Sequence, residues 1–132
     1  MAENVKGIIG RENRFTLKSE FDFVREHGRK YTSFCTLLIH AEVPPSENGV
    51  RYGVICSRKF DKRAVRRNRA KRLLHESMRI LSSKVEMKSC RILLIPRREI
   101  LKMKMDAVAK QLIYLMKKSG MICSGDTSRK SD

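Results

Sequence analysis

Apolar and polar residues fall along this chain in blocks with two different periods. In Ser19–His27, Phe21 and Val24 lie three apart on one helical face; Ser19 can serve as N-cap with Asp22 three residues on, and Gly28 is a fitting stop. Ser33–Val43 is rich in β-branched and apolar residues until Pro44, Pro45, Asn48 and Gly49 break it. Val50–Ser57 (VRYGVICS) reads as a second strand, so the two are expected to pair as an antiparallel hairpin with a longish loop. The main helix is predicted to begin at Asp61 or Lys62, with Asp61 as a suitable N-cap, and to run to about Leu81. There Ala70, Leu73, Leu74, Ser77, Met78 and Leu81 form one stripe at i, i+3, i+4, i+7. Cys90–Pro96 (CRILLIP) is apolar almost throughout, as a strand buried on both faces is. A last helix over Lys104–Lys118 places Met105, Val108, Ala109, Leu112, Leu115 and Met116 together. The order helix-strand-strand-helix-strand-helix predicts an α+β fold, three helices packed on a small, mostly antiparallel sheet.

The ends lack such patterning. Residues 1–12 and 119–132 read as flexible tails, the latter (SGMICSGDTSRKSD) small and polar with little to bury, which leaves one domain over 13–118. No apolar run approaches the roughly 20 residues of a membrane span, and the N-terminus has no secretory pattern, so a cytoplasmic setting is expected. The four cysteines (Cys35, Cys56, Cys90, Cys123) have no metal-ligand spacing, and three lie in expected strands as reduced core thiols.

Charge changes this picture most. Arg58–Arg72 (RKFDKRAVRRNRAKR) holds nine Lys or Arg against one Asp, so half of the chain's +16 sits in fifteen residues. Such a cluster repels itself and calls for a polyanionic partner, nucleic acid first and an anionic membrane surface second. On a helical projection Asn68, Arg72, His75 and Arg79 fall opposite the apolar stripe, with Arg69 and Lys71 flanking them. Arg66 and Arg67 project toward the core side, where no apolar residue replaces them, and must emerge at a rim or cleft. A merely solvated helix would mix signs at i, i+4, and only Glu76 opposes this row. Arginine's planar fork suits bidentate phosphate contact.

Autonomous catalysis is not expected. His27, His40 and His75 have no metal-ligand spacing, the acidic residues are scattered, and no phosphate loop or nucleophile–base pair is present. Catalytic residues and metal ligands are therefore read as none.

Arg67-Asn68-Arg69-Ala70-Lys71-Arg72 resembles the signature of the bacterial ribonuclease P protein subunit. The resemblance takes in RFTLKSEFDFV and HGR within Arg14–Arg29, RYGVICSRKF over Arg51–Phe60, and ILLIPRRE over Ile92–Glu99. It implies a small α+β protein with a left-handed strand–helix–strand crossover, one copy of which binds one catalytic RNA. The holoenzyme is an endoribonuclease that removes the 5′ leader of precursor tRNA. Its magnesium ions are held through RNA, and no cofactor is bound by the protein alone.

Carried onto this chain, the resemblance gives Arg67, Asn68, Arg69, Lys71 and Arg72, with Arg58 and Lys59 before them, as RNA contacts, joined by Arg66, His75 and Arg79 from the helical projection. Phe21 matches an aromatic of the leader cleft, plain core packing beside Val24 being the equal alternative. Arg25 stands where relatives often carry a second aromatic, Phe34 is the nearest aromatic on the first strand, and His75 replaces a usual arginine. The FDKRAV loop is one residue longer than the common form and has Asp61 where glycine is frequent. The other readings are a non-catalytic RNA-binding module and a cationic membrane-surface protein.

Overall fold

The computed structural model describes residues 4–5, 13–43, 49–85 and 87–122. Its elements are β1 (Asn4–Val5), α1 (Lys18–His27), β2 (Arg29–Thr32), β3 (Thr36–Glu42), β4 (Val50–Val54), α2 (Ala64–Ser82), β5 (Met87–Lys88), β6 (Cys90–Pro96), a 3₁₀ helix (Arg98–Lys102) and α3 (Met105–Ser119). The α+β expectation holds, with three α-helices on a four-stranded sheet ordered β2-β3-β6-β4. β3 runs antiparallel to β2 and β6, and β4 runs parallel to β6. β1 and β5 make a separate antiparallel pair, Asn4 opposite Lys88.

The sheet is covered on both faces, and strand alternation sorts residues between them. Leu38, Tyr52, Ile92 and Leu94 share one core with the apolar stripes of α2 and α3. Ile39, Ala41 and Leu93 pack with Phe15 and Val24 under α1. All six residues of the α2 stripe are buried. Each fully buried Leu or Ile contributes about 1.5–3 kcal/mol.

Several expectations need correction. The predicted hairpin does not form: β6 inserts between β3 and β4, because a strand apolar on both faces gains most at the centre, and α2 becomes the crossover between parallel neighbours. The first expected strand is in fact the end of a hairpin, whose other arm, β2, carries three polar residues in RKYT and suits an edge. α1 begins one residue before Ser19, and its end is stitched not by Ser19 but by Glu20, whose Oε1 accepts the N–H groups of Thr16 and Leu17 at 2.8 and 3.1 Å. Gly28 does end α1, with an ordinary negative φ; a Cβ there would lie 2.6 Å from Ile39 Cγ2 and from the Val24 carbonyl oxygen. α2 begins at Ala64, and Asp61 closes a turn ahead of it by accepting the Arg63 N–H at 2.8 Å.

The folded body also runs past residue 118. Gly120 adopts φ 83°, turning the chain back so that Met121 and Ile122 enter the larger core. Within the predicted N-terminal tail, Asn4–Val5 form β1. Residues 1–3, 6–12 and 123–132 of the two tails, the Pro44–Asn48 break and Cys123 lie outside the described residues. Cys90 lies in β6, whereas Cys35 and Cys56 stand just outside strands; all three are free thiols, and burial pushes Cys90 up to about 12. Among the described residues no helix is long and apolar enough to cross a membrane.

Candidate nucleic-acid interface

The polar face of α2 divides into side chains that face solvent and side chains already engaged. Asn68, Arg69 and Arg72 are exposed, as are Arg58 and Lys59 in the turn ahead of the helix. Arg79 is exposed but donates to Glu76 Oε1 at 2.7 Å. Arg67 is half-buried at the rim, its Nη1 donating to the carbonyls of Asp61 and Lys62 at 3.0 and 2.9 Å. Its guanidinium thus ties the helix to the loop before it. Arg66, also at the rim, lies 3.6 Å from Asp61 Oδ2.

His75 departs from the projection and joins Lys71 on the flank. Both are half-buried, on the flank of α2 that looks toward the sheet edge. That edge, β4, is not open: Arg14 bridges to Tyr52, and the Phe15 N–H donates to the Tyr52 carbonyl at 2.7 Å. This added segment closes over the flank, and His75 Nδ1 meets the Tyr52 hydroxyl at 2.7 Å. Burial, followed by the Arg14 and Lys71 charges, lowers the His75 pKa to about 4. At neutral pH His75 is therefore an uncharged neighbour of the sheet and no member of an outward cationic row.

On the other face of the sheet α1 leaves a half-covered apolar strip. Phe21 packs edge-on against Phe15, ring centroids 5.1 Å apart. Leu37, Ile55 and Ile95 flank it as partly buried members of the same cluster. Leu37 and Ile95 are cross-strand partners. Gly53 makes the approach of α1 possible, since a Cβ there would lie 2.6 Å from Phe21 Cε1 and 2.7 Å from Phe15 Cδ2. Arg25 is exposed one helical turn from Phe21, at the margin of the strip. Phe34 is 62% exposed, on a turn whose backbone N–H donates to Gln111 of α3, which fastens it to the opposite side of the sheet from α1.

α1 is held over β4 by a bidentate pair. Arg51 Nε donates to Glu20 Oε2 at 2.6 Å and Arg51 Nη2 to Glu20 Oε1 at 3.1 Å. The Arg51 hydrogen bond lowers Glu20 to a pKa of about 2. Leu37, Ile55 and Ile95 belong to no stripe marked in the sequence, although the alternation of Leu37, Ile39 and Ala41 carries the signal for a second sheet face. Arg98, outside the charged run at Arg58–Arg72, lies 3.4 Å from Asp61 Oδ2. Among the described residues no three His, Cys, Asp or Glu are grouped to hold a metal ion.

A chain with this arrangement has an arginine-rich helix face for phosphates and, across the sheet, an apolar strip with an aromatic ring at hand for unstacked bases. Comparison with known proteins gives the family and the fold. The Ribonuclease P family profile matches residues 9–120. The ribonuclease P protein component of Xylella fastidiosa (strain 9a5c) is 43% identical over 75 residues, 57% of this chain, and the chain spans about half the length of that relative (53%). The component from Chloroflexus aggregans is 29% identical over 117 residues, covering 89% of this chain and 84% of the relative. The Staphylococcus aureus RNase P protein has the same fold, with a TM-score of 0.71 at 19% identity over 84% of this chain and 98% of that one. The Thermotoga maritima RNase P protein gives 0.65 at 25% identity over 80% and 96%. With the family profile covering every element from α1 through α3, the chain belongs to the ribonuclease P protein family.

Proposed function

We propose that this chain is the protein subunit of ribonuclease P, binding the catalytic RNA and the 5′ leader of precursor tRNA and so assisting endonucleolytic removal of the leader. The observation that carries the reading is the exposed Asn68, Arg69 and Arg72 face on a family member whose sheet offers an apolar strip beside Phe21. Arg58, Lys59 and Lys71 extend the basic face, and Arg66 and Arg67 shape its rim. His75 contributes by fixing the helix on the sheet.

In this reading the leader lies along the strip between α1 and the sheet. Phe21 and the aliphatic floor receive bases, worth about 1–3 kcal/mol per stacked base, while Arg25 takes a phosphate where relatives often stack a second ring. The chain supplies no group to the bond cleavage itself. Magnesium belongs to the RNA, one protein serves one RNA, and the assembly works in the cytoplasm.

Reconstitution tests this directly. Adding the chain to a bacterial ribonuclease P RNA at low magnesium should restore cleavage of a leader-bearing precursor tRNA. Strong salt-dependent binding without any stimulation would instead mark a non-catalytic RNA-binding module.

A further inference from the structure

Asp61 is a carboxylate set among cations, and its side chain is only 8% exposed. Its Oδ2 lies 3.4 Å from Arg98 Nη1 of the 3₁₀ helix and 3.6 Å from Arg66 Nη1 of α2, while its Oδ1 accepts the Arg63 N–H at 2.8 Å. Arg98 Nη1 is held a second time by the Phe60 carbonyl at 2.6 Å. The two arginine side chains nevertheless remain 60% and 45% exposed. They stand as the common wall of two hollows. One is lined further by Arg58, Lys59, Lys62 and Arg63, the other by Arg69 and Lys102 with Glu99.

We propose that Asp61 is a positioning residue which locks Arg66 and Arg98 side by side, and that these two form a phosphate-binding ridge extending the RNA interface from α2 onto the 3₁₀ helix. The inference rests on the RNA-binding reading given above. One carboxylate cannot neutralise two guanidinium groups, so the trio keeps a positive charge. Each guanidinium has five N–H donors, and Asp61 and Phe60 engage few of them, while both side chains line the two hollows. An arginine already fixed in place loses less conformational freedom when it grips a phosphate than one free in solvent. The Arg63 N–H, and then the two guanidinium charges, hold Asp61 below its ordinary pKa against the effect of burial, so the lock is closed at neutral pH.

The sign of one substitution separates this from simple charge balance. Asp61→Asn preserves volume and an oxygen for the Arg63 N–H while removing a negative charge from an RNA-binding surface. If Asp61 only offsets repulsion, the variant binds RNA as tightly as wild type or more tightly. If Asp61 positions the ridge, the variant binds about tenfold more weakly. The measurement is filter binding of a bacterial ribonuclease P RNA transcript across a salt titration, for wild type, Asp61→Asn and Arg98→Gln, with thermal melts of each. Arg98→Gln should lower affinity and make the slope of log K against log salt shallower by about 0.7–0.9, the loss of one phosphate contact. It decides the matter if Asp61→Asn melts early. Unchanged or tighter binding by a folded Asp61→Asn, or a wild-type slope for Arg98→Gln, would overturn the inference and leave the RNA-binding reading standing. Absence of binding by wild type would overturn both.

Discussion

The Tyr52 hydroxyl and His75 Nδ1, 2.7 Å apart, join the buried centre of β4 to the flank of α2. Tyr52 is 1% exposed and burial raises its pKa, so its proton stays on oxygen and is available to a neutral imidazole. Arg14, which bridges to β4, and Lys71, one turn back on α2, disfavour a charged ring, and Glu76 on the same helix opposes them only weakly. Stability follows in a definite direction. The pKa of His75 falls from about 6.5 in the unfolded chain to about 4 in the fold, so its contribution is complete above pH 6.5 and is lost as pH falls toward 4. Wild type should lose about 2 kcal/mol across that window, after allowance for partial exposure, in urea melts at stepped pH. His75→Gln should flatten that part of the profile. Because the ring carries no charge at neutral pH, the same variant should leave the salt slope of RNA binding unchanged.

The Glu20–Arg51 pair predicts a separate acid transition at lower pH. Glu20 sits near pKa 2 against an ordinary value of 4.5, so its stabilisation is present above pH 4.5 and is lost as pH falls toward 2. Glu20→Gln removes the charge and half of the fork that holds α1 over β4. It should cost about 1–2 kcal/mol at pH 7, the pair being partly solvated. The difference between wild type and variant should shrink to near zero by pH 2. A difference that persisted there would assign the cost to lost packing.

Much of this fold is legible from local pattern because the local pattern dictates it. Ala70, Leu73, Leu74, Ser77, Met78 and Leu81 are buried as their spacing requires, and CRILLIP forms β6 over the residues its apolarity marks. What the pattern cannot carry is decided by partners far along the chain. Nothing within Ser33–Ser57 says that β6, from the far side of α2, will take the place between β3 and β4. His75 projects outward on an isolated helix and is enclosed only because Arg14 and Phe15 add themselves to the β4 edge. Asp61 looks like a helix cap until Arg98 arrives from beyond β6. Met121 and Ile122 sit in a polar-looking terminus, and one positive-φ glycine turns them inward. The candidate site divides in the same way: the arginine face was readable from α2 alone, whereas the apolar strip needed the sheet.

Gly53 sets how close α1 can come to the sheet. A methyl group there would lie 2.6 Å from the Phe21 ring and 2.7 Å from Phe15, and both rings belong to the smaller core. Gly53→Ala should destabilise the protein by about 1–3 kcal/mol in chemical denaturation, the usual range for overpacking. It should also shift Phe21 relative to the strip and weaken leader-bearing precursor tRNA more than mature tRNA. Equal losses for the two substrates would make Phe21 a purely structural side chain.

Charge reversal on α2 should be directed at residues that hold nothing else in place. Arg67 is a poor choice, since its guanidinium bonds two backbone carbonyls at the start of the helix, and Arg67→Glu would unfasten that turn. Arg69 and Arg72 are exposed on the solvent side of the helix, clear of the Ala70 and Leu73 stripe that holds it to the sheet. The double variant Arg69→Glu, Arg72→Glu should melt within a few degrees of wild type, because surface substitutions away from buried features change stability by about 0.5 kcal/mol or less each. Its binding to ribonuclease P RNA should fall by at least about tenfold, with the salt slope shallower by roughly 1.4–1.8 for two lost phosphate contacts. Added salt should narrow the gap between the two proteins, since it weakens the tighter binder more. A folded double variant that still bound and stimulated cleavage like wild type would move the RNA contact away from Arg69 and Arg72, to the turn at Arg58 and Lys59 or to the Arg66–Arg98 ridge.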